Sequence, residues 1–155
     1  MHLRPFFAIL ALGFSSAIAQ EPAAPATPAA ASPVSDEVKK LLLTARDLRV
    51  KHQYTDALAK LEEAEKLAPN LPDIYALRGD IYLAPRRRDF DLALPQFEKA
   101  AQLQPDSPLP KFNLAEFYFV KHDFDTSLKL FSNMISDYPK LPMVIRHLVH
   151  YKRML

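Results

Sequence analysis

The sequence predicts an all-α fold built from one helical hairpin used three times, and three observations carry that prediction. The stretch TDALAKLEEAEKLAPN at 55–70 returns as DLALPQFEKAAQLQPD at 91–106 and as DTSLKLFSNMISDYPK at 125–140, offsets of 36 and 34 residues. From Asp36 onward apolar residues recur at spacings of three and four, the period of a helix with one buried face. Proline ends each copy, at Pro69, Pro105 and Pro139, and disfavours helix at the residue before it.

With 155 residues, 49% of them hydrophobic, the chain can bury a real core in one domain. Lys and Arg total 20 against 18 Asp and Glu, a near balance that offers no electrostatic footprint for nucleic acid or an anionic membrane. The absence of cysteine excludes disulfides, thiol nucleophiles and thiolate-ligated zinc. The glycines are Gly13 and Gly79 alone, so no Gly-rich loop exists to cradle a phosphate.

Residues 1–19 carry one charge, Arg4, then the apolar run FFAILALGF, and close on Ser16, Ala17, Ile18 and Ala19. That is the anatomy of a secretory signal peptide, and its apolar run of nine falls short of the roughly 20 residues a membrane-spanning helix needs. Cleavage after Ala19 is expected, giving an exported chain, periplasmic or secreted, with no stable membrane insertion. Residues 20–35, QEPAAPATPAAASPVS, show no period that could be buried and read as a disordered Pro/Ala-rich linker.

The fold is expected over 36–155, with repeats at about 38–71, 72–107 and 108–141. The first helix of each repeat carries a small residue near its middle, Ala45, Gly79 or Ala115. The second begins after Thr55, Asp91 or Asp125, each a good N-cap. Ala45 to Gly79 is 34 residues and Ala57 to Ala93 is 36, which puts two extra residues between Gly79 and Ala93. The small residues let paired helices approach closely, while Leu61, Phe97 and Phe131 fill the space between repeats. A terminal helix at 142–155 opens on Pro142 and places Ile145, Leu148, Val149 and Lys152 at helical spacing. Its end, VHYKRML, leaves apolar residues uncovered, so self-association through this helix is expected.

These residues resemble the tetratricopeptide repeat, a 34-residue helix pair with an aromatic-Leu-Gly-Tyr, Ala-Phe, Pro pattern. The middle repeat reads Tyr75, Arg78, Gly79, Tyr82, Ala93, Phe97, Pro105; the first reads Leu41, Thr44, Ala45, Leu48, Ala57, Leu61, Pro69; the third reads Lys111, Leu114, Ala115, Tyr118, Ser127, Phe131, Pro139. Departures are Thr44, Arg78, Lys111 and Ser127. The resemblance implies a right-handed helical solenoid whose concave groove, lined by the first helix of each pair, holds a peptide or protein partner. Its implied groove residues are Lys39, Leu42, Arg46 and Arg49 from the first repeat, Asp73, Ala76, Asp80 and Leu83 from the second, and Leu109, Phe112, Glu116 and Phe119 from the third. Members that grip a C-terminal carboxylate use a Lys and Asn clamp; here Leu42, Arg46 and Leu109 stand at three clamp positions and Asn113 matches one. Leu83, Leu109, Phe112 and Phe119 are expected to form an apolar floor rimmed by Arg46, Arg49, Asp80 and Glu116, with inward packing of Phe112 and Phe119 as the alternative.

Other constellations have plainer readings. His147 and His150 lie three apart without a third ligand, and His52 and His122 sit in equivalent turns, so no metal site is expected. Arg86, Arg87 and Arg88 concentrate charge in the inserted turn and read as a solvated loop, or as a dock for an acidic segment. Glu62, Glu63 and Glu65 alternate with Lys60 and Lys66 as a solvated helix face. No nucleophile, base and oxyanion donor come together, so neither an enzyme nor a cofactor is expected, but an interaction module, with a stacking or oligomerisation domain of a longer protein as the alternative.

Overall fold

The computed structural model describes residues 34–140. The expected signal peptide, the expected linker up to residue 33 and the expected terminal helix at 142–155 lie outside the described residues. Within them the chain forms six helices and no strand: α1 (Asp36–Val50), α2 (Tyr54–Leu67), α3 (Pro72–Leu83), α4 (Phe90–Leu103), α5 (Pro108–Val120) and α6 (Phe124–Asp137). They pair as α1 with α2, α3 with α4, and α5 with α6.

Punctuation works the same way in each hairpin. The residues before the closing prolines, Ala68, Gln104 and Tyr138, have φ, ψ of −143°, 71°; −141°, 65°; and −124°, 70°, so the second helices stop there. Pro72 and Pro108 then open the next first helices, where a missing N–H costs nothing. Ser35 and Ser107 cap α1 and α5, each accepting a bond from a first-turn N–H, of Val38 and Leu109 respectively. Val34 already packs on the core, so the fold begins slightly inside the expected linker.

The second helices start earlier than expected. Gln53, Asp89 and Asp123 are the N-caps, and Asp123 accepts from the Thr126 N–H at 3.1 Å. Thr55, Asp91 and Asp125 lie in the first turn. The cause is the tight turn before each helix, in which His52, Arg88 and His122 take the left-handed conformation at φ of 61°, 52° and 66°. That reversal lets the Gln53 N–H reach the Leu48 carbonyl and the Asp123 N–H reach the Tyr118 carbonyl, five residues back. In the middle hairpin the Asp89 N–H reaches back seven residues to the Tyr82 carbonyl, so the two extra residues are absorbed entirely within this turn.

The buried core runs through all three hairpins, from Val38, Leu42 and Leu61 through Ile74 and Ile81 to Phe97, Phe117, Phe131 and Met134. Ile74, Leu77 and Ile81 of α3 are buried against the first hairpin, and the α1 residues at the same register are Lys40, Leu43 and Asp47, all exposed. The outer face of α1 is thus largely polar where that of α3 is apolar, as a terminal face of a stack requires.

The departures from the repeat pattern each find a partner. Ser127 stands where the first two hairpins have Ala57 and Ala93; it is buried and its hydroxyl donates to the Ala115 carbonyl at 2.8 Å. Arg78, only 12% exposed, donates to Glu65 Oε2 at 2.6 Å and to Gln96 Oε1 at 3.4 Å, while the Tyr75 hydroxyl donates to Glu65 Oε1 at 2.9 Å. Glu65 is therefore not part of a solvated face: it ties α2 to α3, and the bond from Arg78 holds its carboxyl below the usual range. Lys60 and Glu63 do pair on the surface as expected, at 2.7 Å.

Gly79 lets α3 and α4 approach closely. A Cβ there would stand 2.7 to 2.9 Å from three ring atoms of Phe97, which is buried and packed against Phe117 at 6.1 Å between centroids. The ring cannot swing away without disturbing the next hairpin. Gly79→Leu is expected to cost about 1 to 3 kcal/mol by overpacking, despite its better helix propensity, and Phe97→Ala in the same chain should absorb part of that penalty. Urea unfolding of the two single variants and the double variant measures both effects.

Candidate functional site

Helix contacts show which side of the stack is concave. The first helices touch one another, α1 with α3 and α3 with α5, whereas α2, α4 and α6 make no such contacts with one another. The first helices therefore lie at the smaller radius. Every residue expected in the groove belongs to α1, α3 or α5.

Within that set, Arg46, Asp80 and Glu116 follow directly after Ala45, Gly79 and Ala115 and so share one register position across the three helices. The structure brings them together: Asp80 lies in the electrostatic field of Arg49, Glu116 and Arg46. Burial pushes its carboxyl above the ordinary range, Arg49 and Arg46 oppose the shift, and Glu116 adds to it. Arg49 is half-buried, and its Nε is shut off from solvent with no hydrogen-bond acceptor among the described residues. Arg46 is exposed and makes no hydrogen bond or ion pair among them.

The remaining candidates divide. Lys39 is exposed and pairs with Asp36 at 2.9 Å, and Asp73 is exposed. Leu109 stands 54% exposed, the most accessible of the apolar candidates. Ala76 and Leu83 are half-buried against neighbouring core clusters. Phe112 is half-buried, with its ring edge-on to the buried Phe131 at 5.6 Å, so it serves the core with one face. Phe119 is half-buried and meets Phe124 at 5.6 Å. Leu42 is a correction: at 5% exposure it is part of the first hairpin's core, because its position on α1 turns it toward Ala45, Ala57 and Leu61. The expected apolar floor is thus discontinuous, and charge crosses its middle.

The arginine turn is partly engaged: Arg87 pairs with Asp89 at 2.8 Å and lies over the Tyr82 ring, 5.2 Å from its centroid, while Arg86 and Arg88 are exposed. Among the described residues no group of three His, Cys, Asp or Glu could hold a metal ion, and no helix is long and apolar enough to cross a membrane.

Residues 42–108 match a family model described as tetratricopeptide repeat, and residues 90–137 match one described as YpiA-like, tetratricopeptide repeats. None of the curated protein sequences matches the chain. Among solved structures it is similar to the type III secretion translocator chaperone SycD of Yersinia enterocolitica, at 18% identity over 77% of this chain and 91% of that one, with a TM-score of 0.67. The Sgt2 tetratricopeptide domain of Aspergillus fumigatus aligns at 16% identity over 77% and 79%, TM-score 0.63. SycD in complex with a peptide of the translocator YopD aligns at 17% over 77% and 92%, TM-score 0.65. The chain carries tetratricopeptide repeats, and its fold is the all-α solenoid that such repeats build.

The elevated Asp80 titration has a definite sign. As pH rises from 3.8, the ordinary aspartate value, through the raised value in the fold, the native state keeps a proton that the unfolded chain has lost, and stability falls. Asp80→Asn lacks that slope. Its stability relative to the parent is expected to rise with pH across this window and to level off above it, as followed by urea melts from pH 3.5 to 7.5.

Proposed function

We propose that this protein is a non-enzymatic interaction module of the envelope or secreted space that holds a segment of another protein on the concave face of its solenoid. The observation that carries this reading is the concave face itself: Arg46, Asp73 and Leu109, one from each hairpin, stand exposed on α1, α3 and α5, the helices at the smaller radius. An exposed Leu109 and an exposed Arg46 with no hydrogen bond or ion pair among the described residues are features a bound chain would cover and satisfy. The likeness to a chaperone structure holding a translocator peptide supports the same reading.

A photo-crosslinking residue tests the location. Placed at position 46, 73 or 109 it should trap a partner from an envelope extract, and placed at exposed positions 62 or 128 of α2 and α6 it should not. Equal trapping from both sides would discard the concave site.

The exported location rests on the first 19 residues, whose charge, apolar run and small-residue ending fit a signal peptide. N-terminal sequencing of the exported protein should begin at Gln20, and recovery of a chain beginning at Met1 from the cytosol alone would overturn it.

A further inference from the structure

Resting on the concave face as the docking surface, we infer that the segment it takes bears an acidic side chain seated on Arg46 and Arg49, followed by apolar side chains seated on Leu109 and Phe112. The two arginines are the open donors of the groove. Arg46 is exposed and Arg49 half-buried, and neither makes a hydrogen bond or ion pair among the described residues; the Arg49 Nε is shut off from solvent, so the terminal nitrogens are the ones a partner meets. Lys39 is not equivalent, since Asp36 already occupies it.

A guanidinium with unpartnered terminal N–H groups gains most from a carboxylate, which takes two of them at once. Asp80 does not fill that place. It lies in the field of both arginines yet makes no hydrogen bond to either among the described residues, so it offsets their mutual repulsion and leaves their donors available. A neutral carbonyl would satisfy one N–H, but a charged acceptor makes bonds about twice as strong.

At the other side of the groove the chemistry changes. Leu109 is 54% exposed, and Phe112 meets Phe131 in an edge-to-face contact and stays half-buried. The face therefore changes along its length, with Arg46 and Arg49 over the first hairpin, Asp80 over the second, and Leu109 and Phe112 beside Glu116 over the third. Packed helix axes lie about 8 to 10 Å apart, so α1 and α5 stand roughly 16 to 20 Å apart; Leu109 sits seven register positions, about 10 Å, before the level of Arg46, and in an extended segment rising about 3.3 Å per residue the acid and the first apolar anchor fall about six or seven residues apart.

The test selects 12-residue random segments, displayed in the interior of a carrier so that no free carboxyl terminus takes part, on the full 155-residue chain. Selected sequences are remade as peptides capped at both ends, and their affinities are measured for the parent, Arg46→Gln, Arg49→Gln and Leu109→Asp. Selected peptides are expected to combine Asp or Glu with two or more apolar residues. Each arginine variant should weaken them at least about tenfold, as should Glu→Gln in the peptide, and combining the two changes should cost little more than either alone. Peptides that bind tightly with no acid, or that ignore both arginine variants, overturn the inference; if they still require Leu109, the concave site itself stands. Peptides indifferent to Leu109→Asp as well, or no selected peptide at all, overturn both. A peptide whose acid becomes dispensable once its own carboxyl terminus is uncapped would reassign the arginines to a terminal carboxylate and overturn the side-chain form.

Discussion

The contact between Gly79 and the Phe97 ring fixes how the three hairpins stack. With no side chain at 79, the ring lies directly against the α3 backbone, and from there it reaches Phe117 of α5. One buried aromatic thus sets two relationships, the spacing of α3 from α4 and the seat of the third hairpin on the second. The first and third hairpins have alanine at the equivalent position, 45 and 115, with Leu61 and Phe131 opposite, so a small residue facing a large one is the rule of every joint. At the middle joint the partner ring also serves the neighbouring unit.

That joint also determines what the groove presents. Residues one apart on a helix point about 100° from each other, so a residue directly after the small one cannot share its buried direction. Arg46, Asp80 and Glu116 occupy this place in the three hairpins, and the fold lines them up across α1, α3 and α5 whatever their chemistry. The solenoid therefore holds one register position for packing and frees the next for recognition. The two residues added to the middle hairpin do not disturb this alignment, because they are taken up between Tyr82 and Asp89, after α3 has already placed Asp80.

Much of the fold was legible in the sequence, for a physical reason: proline, small residues and helical periodicity act locally, and each repeat restates them. The closing prolines, the small residues and the large residues opposite them all fall where that pattern puts them. The helix starts were misread by about two residues because Thr55, Asp91 and Asp125 have cap chemistry, while the true caps are set by the left-handed turn residues His52, Arg88 and His122, a conformation that sequence does not display. Leu42 was misplaced because core and groove positions on a helix differ by a rotation that periodicity leaves loose. The role of Glu65 was hidden for a different reason: its partner Arg78 lies on the next helix, 13 residues on, and replaces the leucine that the repeat pattern leads one to expect.

The charges in the groove cannot be explained as structural pairing alone. Where the fold needs an ion pair to join helices it makes one at short range, as Arg78 and Glu65 do at 2.6 Å with Tyr75 completing the carboxylate's bonds. Asp80 and the arginines of α1 are treated otherwise: they share a field without closing a hydrogen bond, and burial raises the Asp80 titration instead of pairing lowering it. A half-buried carboxylate held that way costs stability, and an arginine Nε left without an acceptor adds to the cost. On the proposed reading, a second chain lying on the concave face, where α1, α3 and α5 run side by side, would meet these same charges.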